Sequence, residues 1–314
     1  MKQVIVVGAG NWGKNLIRNF YELSALAGIV EVDRDRASDI ASQYPTVKIF
    51  SDYEAALGTA VDGIVIATPA GTHYDLAITA LQAGKDVFVE KPMTLQRSHA
   101  QTLADYADQS GRILMVGHLL LYQSAIAWMR EYLATGKAGK VFHVATERTK
   151  LGRVRREENV WWSFAPHDIS VVLDLLGSPQ LQKVQAQGQA MLQPNIEDNV
   201  HVDLVFGSGQ TAHLHCSWYS PLLQRTTTVI AEKQMLVYDE VSQTVTVYNK
   251  TVDEHLNHQD HGSWQPEIEQ FPPLQQECEH FLDCLHSRQQ PLSNGWNGVA
   301  VVNILEKVQR SLHL

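Results

Sequence analysis

Two side chains in this sequence are well placed to move a proton or to stabilise charge on an oxygen. Lys91 lies in the segment EKP (90–92), directly after an apolar run, where a lysine can hydrogen-bond a hydroxyl or carbonyl and favour developing oxyanion character. His167, in the segment FAPHD (164–168), can titrate near neutrality and relay a hydroxyl proton. The alternatives are a surface turn at Lys91 and a helix-start histidine that hydrogen-bonds only its own backbone.

The amino-terminal stretch VIVVGAGNWG (4–13) fits the pyrophosphate of a dinucleotide. Gly8 permits a tight turn, Gly10 lets the backbone approach a pyrophosphate, and Gly13 lets the following helix pack closely on the strand. The phosphates would then lie against free N–H groups at the positive end of the helix dipole. A glycine turn that binds nothing is the alternative.

Asp33 follows a second predicted strand, 26–32, about twenty residues beyond the glycines, where a carboxylate can accept both ribose hydroxyls. A carboxylate repels a 2′-phosphate, so we predict NAD as the cofactor, while Arg34 leaves NADP open.

Strands and helices alternate as far as residue 116, which predicts an α/β protein with a doubly wound parallel sheet. In such sheets, ligands bind beyond the carboxyl ends of the strands, so the glycine turn, Asp33, the loop 68–73 and the EKP segment should converge on one crevice. The proline of EKP could follow a cis peptide bond. The residues predicted to contact the cofactor are Gly8, Gly10, Asn11, Trp12, Gly13, Asp33, Arg34, Thr68, Pro69, His73, Glu90 and Lys91.

Beyond residue 118 the pattern changes to segments that alternate apolar and polar residues, seven of them predicted as strands between 140 and 248. One-sided burial and hairpin-length gaps predict an open, mostly antiparallel sheet whose exposed face could carry a subunit interface. We therefore expect a dinucleotide-binding domain at 1–118 and a substrate-binding and oligomerisation domain of α+β type at 119–314, whose last helix could pack back on the first domain. Pro166 suits the first turn of a helix that runs to Gly177, which would place His167 near its start.

Five of the 25 basic residues fall within nine positions, followed by Glu157 and Glu158: Arg148, Lys150, Arg153, Arg155 and Arg156. Arginine forks match phosphate oxygens in two-point contacts. The alternative is a solvated loop whose arginines pair with the glutamates.

The composition, with 44% hydrophobic and 19% charged residues and a net charge of −9, is that of a globular protein and disfavours non-specific binding to nucleic acid or anionic membrane. We expect no signal peptide and no membrane span. The three cysteines are wrongly spaced for a zinc site or a disulfide framework, so a reducing cytoplasm without a bound metal is the expectation. Most of the 14 histidines, such as those between His255 and His261, are expected in solvated loops.

The motifs GAGNWG, ATPAGTH, VEKPM and VGH, with the histidine at 167, resemble the Gfo/Idh/MocA (glucose-fructose oxidoreductase and inositol dehydrogenase) family over essentially the whole chain. The resemblance implies a Rossmann domain, a domain with an open sheet, and NAD(P)-dependent chemistry on sugars or polyols. It also implies that Lys91 is the catalytic lysine and His167 the acid/base histidine. Many members carry an acidic or amide residue at the positions of Ser163 and Ser170, so Asp168 could take the orienting role.

Within the family, VGHLLLY, LGRVRREENVWW and FAPHDIS look like the members that oxidise the 3-hydroxyl of UDP-N-acetylglucosamine, work with an aminotransferase and contribute to lipid A or lipopolysaccharide synthesis. The implied partners are a nucleotide sugar and further copies of the chain, as a homodimer or homotetramer. An inositol or simple hexose substrate, or a silent dinucleotide-binding regulator, remains an alternative. The residues expected to contact substrate are His118, Tyr122, Arg153, Arg155, Trp162, Ser163 and His167.

Overall fold

The structure, a computed structural model, describes residues 2–312, and this part of the chain divides into two compact units. The first unit contains residues 2–122 together with Pro272–Asn303. The second contains Gln123–Phe271 and residues 304–312. The Rossmann unit is therefore not one continuous stretch, because it includes a segment from near the end of the sequence.

A six-stranded parallel sheet in the order β3-β2-β1-β4-β5-β6 forms the centre of the first unit. Its strands are β1 Val4–Val7, β2 Leu26–Val30, β3 Lys48–Phe50, β4 Gly63–Ile66, β5 Asp86–Glu90 and β6 Leu114–Gly117. Its helices are α1 Gly13–Glu22, α2 Arg34–Gln43, α3 Tyr53–Leu57, α4 His73–Gln82, α5 Arg97–Ser110, α8 Pro273–Ser287 and the first part of α9 Gly295–Leu312.

Both faces of this sheet are covered, which explains why its strands are continuously apolar. Alternate residues of a strand point to opposite faces. Val4 and Val6 accordingly pack in one core with residues of α1 and α8, whereas Ile5 and Val7 pack in another with residues of α4 and α5. The predicted doubly wound sheet is confirmed.

A mixed sheet in the order β14-β13-β12-β11-β7-β10-β9-β8 forms the second unit. The strands are β7 Val141–Leu151, β8 Leu181–Gln189, β9 Asn199–Phe206, β10 Thr211–Ser217, β11 Tyr219–Ala231, β12 Met235–Asp239, β13 Thr244–Val252 and β14 His258–Trp264. Helices α6 Ser124–Ala134 and α7 Val160–Leu176 also belong to it, and α7 contacts β7, β9 and β10.

The predicted antiparallel character is confirmed for this sheet except at β7 and β10, which pair in parallel. One strand was missed. The histidines between His255 and His261 were expected in a solvated loop, but His258 and His261 belong to the strand His258–Trp264, which pairs with β13 at the sheet edge. Its side chains are mostly exposed, so burial gives the sequence no alternating pattern there.

Helix α7 begins at Val160, six residues before Pro166, so the prediction that Pro166 lies in the first turn was wrong. An interior proline costs about 3 kcal/mol because it lacks an N–H for the helix ladder. Burial of the whole Trp161 side chain in the first turn, about 150 Å² at about 25 cal/mol per Å², offsets that cost. Asn159 caps the helix, since its side chain accepts the Trp162 N–H at 3.1 Å.

Candidate active site

The glycine loop between β1 and α1 has the backbone that a pyrophosphate requires. Gly8 has φ of +95°, and a Cβ at Gly13 would lie 2.0 Å from the Gly8 carbonyl oxygen, so neither position accepts a larger residue. A Cβ at Gly10 would meet no described atom within 4 Å, and no side chain caps α1. Open space above Gly10 and a helix start without a side-chain cap fit a bound dinucleotide phosphate.

The carboxylate that reaches this loop is that of Glu31, which the sequence analysis did not select. Because β2 ends at Val30 and not at residue 32, Glu31 is the first residue beyond the strand. Its side chain accepts the Ala9 N–H at 2.9 Å and the Asp33 N–H at 2.9 Å, and Arg36 Nε lies 3.2 Å away. Burial opposes its charge, but these hydrogen bonds outweigh burial and lower the pKa of Glu31.

Asp33, the predicted ribose ligand, is the N-cap of α2, where its side chain accepts the Arg36 N–H at 2.9 Å. Arg34 is exposed. The arginine beside the Glu31 carboxylate is therefore Arg36, not Arg34. The signal that could have found Glu31 is the end of the apolar run at Val30.

The loops after β4 and β5 are held together by His73. This side chain is 1% exposed, and its two ring nitrogens lie 2.9 Å from the Thr68 carbonyl oxygen and 2.9 Å from the Pro92 carbonyl oxygen. Burial lowers the pKa of His73, although the two carbonyls oppose this effect. The ring thus braces the two loops and does not face solvent, a different role from the direct cofactor contact that was predicted. The peptide bond Lys91–Pro92 is cis, as anticipated.

Glu90 connects the glycine loop to the lysine segment. Its carboxylate accepts hydrogen bonds from the Trp12 indole N–H and from the Lys91 backbone N–H. It also lies against Gly117, where an added Cβ would be 3.0 Å from the carboxyl group. Burial raises the pKa of Glu90 to about 7, against the opposing effects of Trp12 and Lys91. The structure thus brings together the predicted residues at the ends of β1, β4 and β5.

His118 follows β6 and is completely buried, with no hydrogen-bond partner for either ring nitrogen among the described residues. Burial, with a contribution from Lys91, lowers the pKa of His118 to about 3, so this imidazole is neutral at physiological pH. The Tyr122 hydroxyl lies 3.1 Å from Ser293 Oγ. Neither side chain has the open exposure expected of a group that binds substrate from solution.

In the second unit, α7 carries Trp162, Ser163, His167 and Asp168 on one continuous helix. The Trp162 indole donates to Gln309 at 3.0 Å, and His167 is half-buried. Asp168 is 2% exposed, and its carboxylate is held in two-point contact by Arg148, with Nε to Oδ2 at 2.8 Å and Nη2 to Oδ1 at 2.9 Å. Asp168 was predicted to orient His167. Its carboxylate is instead engaged in an ion pair with Arg148 of β7, and this ion pair competes with the predicted role.

The basic segment divides into one buried and several accessible residues. Arg148 also donates to Glu240 at 3.0 Å, and its side chain is only 12% exposed. The prediction that Arg148 belongs to a phosphate-binding surface was therefore wrong. Burial opposes its charge, but Asp168 and Glu240 outweigh burial and raise the pKa of Arg148. Arg153 is exposed, and Arg155 is 43% exposed with Glu158 3.6 Å away. The alternative was that these arginines pair with Glu157 and Glu158, and the contact of this kind that the structure shows is Arg155 with Glu158.

Among the described residues, no group of three or more His, Cys, Asp or Glu side chains fits a metal ion. No helix within residues 2–312 is both long and apolar enough to span a membrane.

Comparison with known proteins agrees with this geometry. Residues 2–118 match the family model of the Gfo/Idh/MocA oxidoreductases with an NAD-binding Rossmann fold, and residues 126–237 match the model of the family's carboxy-terminal domain. The UDP-N-acetylglucosamine 3-dehydrogenase of Acidithiobacillus ferrooxidans is 26% identical over 246 residues, which cover 78% of this chain and 76% of that protein. A scyllo-inositol 2-dehydrogenase (NAD⁺) of Bacillus subtilis is 26% identical over 69% of this chain and 67% of that protein.

Solved structures show the same fold. The Acidithiobacillus ferrooxidans enzyme superposes with a TM-score of 0.88 at 24% identity, covering 99% of this chain and 97% of that one. The WlbA dehydrogenase of Bordetella pertussis, solved with NADH and UDP-GlcNAcA, gives a TM-score of 0.80 at 19% identity over 99% of this chain and 96% of that one. The chain, with its glycine loop, its Glu90–Lys91 segment and both family domains, belongs to the Gfo/Idh/MocA family of NAD-binding oxidoreductases.

Proposed function

We propose that this protein uses NAD⁺ to oxidise a hydroxyl group of a nucleotide sugar, most specifically the 3-hydroxyl of a UDP-N-acetylhexosamine. The glycine loop and Glu31 would hold NAD⁺, which would supply the hydride acceptor. The observation that carries the proposal is the link from Trp12 in the glycine loop through Glu90 to Lys91, which fixes the lysine segment to the loop that holds the cofactor.

Lys91 and His167 divide the work on the sugar oxygen. The Lys91 ammonium donates a hydrogen bond to the reacting oxygen and stabilises negative charge as it develops. The His167 imidazole accepts the hydroxyl proton. Asp168 is occupied by Arg148, so its part is to anchor α7 to β7 and thereby position His167.

The cofactor is held by the glycine loop, the helix start and Glu31. The ionised Glu31 accepts the adenosine ribose hydroxyls and repels a 2′-phosphate, which favours NAD over NADP. Asn11 in the glycine loop and Thr68 and Pro69 after β4 complete the cofactor site, and His73 joins the loops after β4 and β5.

Arg153 and Arg155 supply the local positive charge that a diphosphate needs in a chain with a net charge of −9. Trp162 and Ser163 support the sugar, whereas His118 and Tyr122 are too enclosed to bind it from solution and are not assigned to the binding set. An unphosphorylated polyol is the second candidate, because the inositol dehydrogenase is as similar in sequence as the nucleotide-sugar enzyme. A silent regulator is disfavoured because it would need the glycine loop but neither Lys91 nor His167.

We also propose a compartment, a partner enzyme and an assembly for the protein. The protein works in the cytoplasm, where an aminotransferase converts its keto sugar for lipid A or lipopolysaccharide synthesis. Copies of the chain associate as a dimer or tetramer through the half-exposed face of the β7–β14 sheet.

The discriminating experiment measures NADH formation with UDP-N-acetylglucosamine, related nucleotide sugars, scyllo- and myo-inositol, and free hexoses at equal concentrations. We expect turnover with a UDP-N-acetylhexosamine and little with the unphosphorylated compounds. Turnover with inositol alone would replace the proposal by its rival. Parallel assays with NAD⁺ and NADP⁺ test the role of Glu31, and a preference for NADP⁺ would contradict it.

A further inference from the structure

Glu277 is a buried acid in the first unit with no assigned task. It lies on α8, which packs against α1 and against the short 3₁₀ turn Leu119–Tyr122. The residue is 0% exposed, and neither carboxyl oxygen has a hydrogen-bond partner among the described residues. A buried carboxyl group without a partner is costly, and such groups are concentrated at functional sites.

Helix α8 brings Glu277 over β5, close to Glu90, the acid that links Trp12 to Lys91. Phe281, one turn after Glu277, meets Phe88 of β5 edge to face at a centroid distance of 5.7 Å, and Glu90 lies two residues after Phe88 on the same face of the strand. Glu90 is 8% exposed and is fixed in place by those two hydrogen-bond donors and by its contact with Gly117. Two buried carboxyl groups that interact cannot both carry charge at low cost, and they titrate as a pair.

We propose that Glu277 and Glu90 hold one proton between them at neutral pH, and that Glu277 thereby acts as a positioning residue for the Glu90 carboxylate that connects the cofactor loop to Lys91. The pair then carries a single negative charge. The Glu90 carboxylate accepts hydrogen bonds from the Trp12 indole N–H and the Lys91 backbone N–H. Its negative charge is also stabilised by the Lys91 ammonium.

The other titratable groups around the pair favour their uncharged forms, including His280 on α8, where burial lowers the pKa. Burial, then Glu90, raises the pKa of Glu277 well above its usual value, and burial raises the pKa of Glu90 to about 7. His118 on the β6 side stays neutral, with its pKa lowered to about 3. Burial also raises the pKa of Tyr122 in the 3₁₀ turn and of Cys278 and Cys284 on α8, so these groups keep their protons.

Each protonation state has a consequence for the cofactor loop. Addition of a second proton from solvent removes the anion that Trp12 and the Lys91 amide contact. Loss of the shared proton to solvent leaves two negative charges buried together. The link between the loop and the lysine is therefore strongest while the pair holds one proton, and cofactor affinity should vary with pH accordingly. The inference rests on the proposed function only where it concerns the role of Lys91. The titration of Glu90 and Glu277 does not depend on which reaction the protein catalyses.

Glu277→Gln tests this most directly, because glutamine keeps the shape and polarity of the side chain but cannot share the proton. Glu279→Gln is the matched control, with the same substitution on the same helix at a carboxylate that contacts Gln275 and Gln276. NADH binding is measured by the enhancement of its fluorescence from pH 5.5 to 9. We expect the alkaline fall in affinity to shift beyond the measured range in Glu277→Gln, because a lone Glu90 carboxylate has no second acid beside it to ionise. It should stay in place in Glu279→Gln.

Infrared difference spectroscopy of the unmodified protein provides a second measurement that does not depend on a variant. A band from a protonated buried carboxyl should be present at pH 7 and fade as the pH rises. Absence of that band, or superimposable NADH titrations for Glu277→Gln and the unmodified protein, would overturn the inference. Failure to oxidise any sugar, with the band and the shifted titration observed, would instead contradict the proposed function alone.

Discussion

The two units treat buried acids in opposite ways. In the second unit, Asp168 is 2% exposed and is fully matched by the two-point contact with Arg148, which in turn donates to Glu240. In the first unit, Glu277 is 0% exposed and has no described hydrogen-bond partner, while its neighbour Glu90 is held by uncharged donors. Equal burial therefore has different results: a matched acid fixes an element in place, whereas an unmatched acid remains free to exchange a proton.

The largest expected effect is on catalysis by Lys91, whose backbone N–H donates to Glu90. Replacement of Lys91 by Ala removes the donor to the reacting oxygen, so kcat should fall by about 10³-fold while NADH affinity changes little. Steady-state kinetics and a fluorescence titration measure the two effects. The exposed Lys137→Ala variant is the control. Activity within a few-fold of normal would remove Lys91 from the mechanism.

Breaking the matched pair should mainly destabilise the protein. Arg148→Ala leaves Asp168 buried without its cation, which typically costs about 3–5 kcal/mol in the free energy of unfolding, while Glu240 keeps its contact with Arg225 at 2.9 Å. Denaturant titration measures this loss. The comparison predicts a far smaller loss for Arg153→Ala, because Arg153 is exposed. Equal losses in the two variants would show that the ion pair does not stabilise the fold.

The assignment of the ribose contact to Glu31 can be tested against Asp33. Glu31→Gln should weaken NAD⁺ binding by about 10-fold, since a charge-assisted hydrogen bond contributes about 1.5–3 kcal/mol. Asp33→Asn should have a much smaller effect, because asparagine also caps a helix. Isothermal titration calorimetry gives both constants. The reverse order would restore the original prediction for Asp33.

The accessible arginines provide a graded test of the substrate. In Arg153→Ala with Arg155→Ala, KM for a UDP-sugar should rise several-fold with kcat preserved, because the lost contacts are to a part of the substrate that does not react. Arg156→Ala is an exposed control from the same segment. An unchanged KM would reduce this segment to a solvated loop.

The smallest effect is on the pH dependence of stability. A carboxyl group whose pKa is raised by folding stabilises the protein below its unfolded pKa of 4.5, and that contribution is lost as pH rises through the folded pKa. Glu277→Gln should therefore unfold at a higher temperature than the unmodified protein at pH 8, by a few degrees, and the difference should shrink towards pH 5. Scanning calorimetry at the two pH values checks the sign. A constant difference would mean that Glu277 keeps its proton in both states.

The sequence predicted most of the first unit because its strands are buried on both faces and read as continuous apolar runs. The end of β2 was predicted two residues too late, because Val32 is apolar although it is 77% exposed, and Asp33 was therefore chosen instead of Glu31 as the ribose ligand. In the second unit, alternation located seven strands, but the edge strand His258–Trp264 carries no such pattern. Pro166 was misplaced because the packing of Trp161 outweighs a local backbone preference.

Partners that are distant in sequence explain the remaining gaps. Nothing near Arg148 reveals that Asp168 and Glu240 will surround it, and the predicted phosphate cluster therefore included a buried ion pair. Glu277 stands among mostly polar neighbours on α8. Only its approach to Glu90, almost two hundred positions earlier, distinguishes it from a surface glutamate.

The contribution of α8 to the first unit sets an order for the chain's synthesis. Phe281 is fully buried and meets Phe20 and Phe88 edge to face, at centroid distances of 6.5 Å and 5.7 Å. A nascent chain that has emerged only as far as residue 122 would therefore expose Phe20, Phe88 and the sheet beneath them. The ribosome must deliver the whole intervening unit before the cofactor unit can close, and an interrupted product would be a substrate for chaperones and proteases.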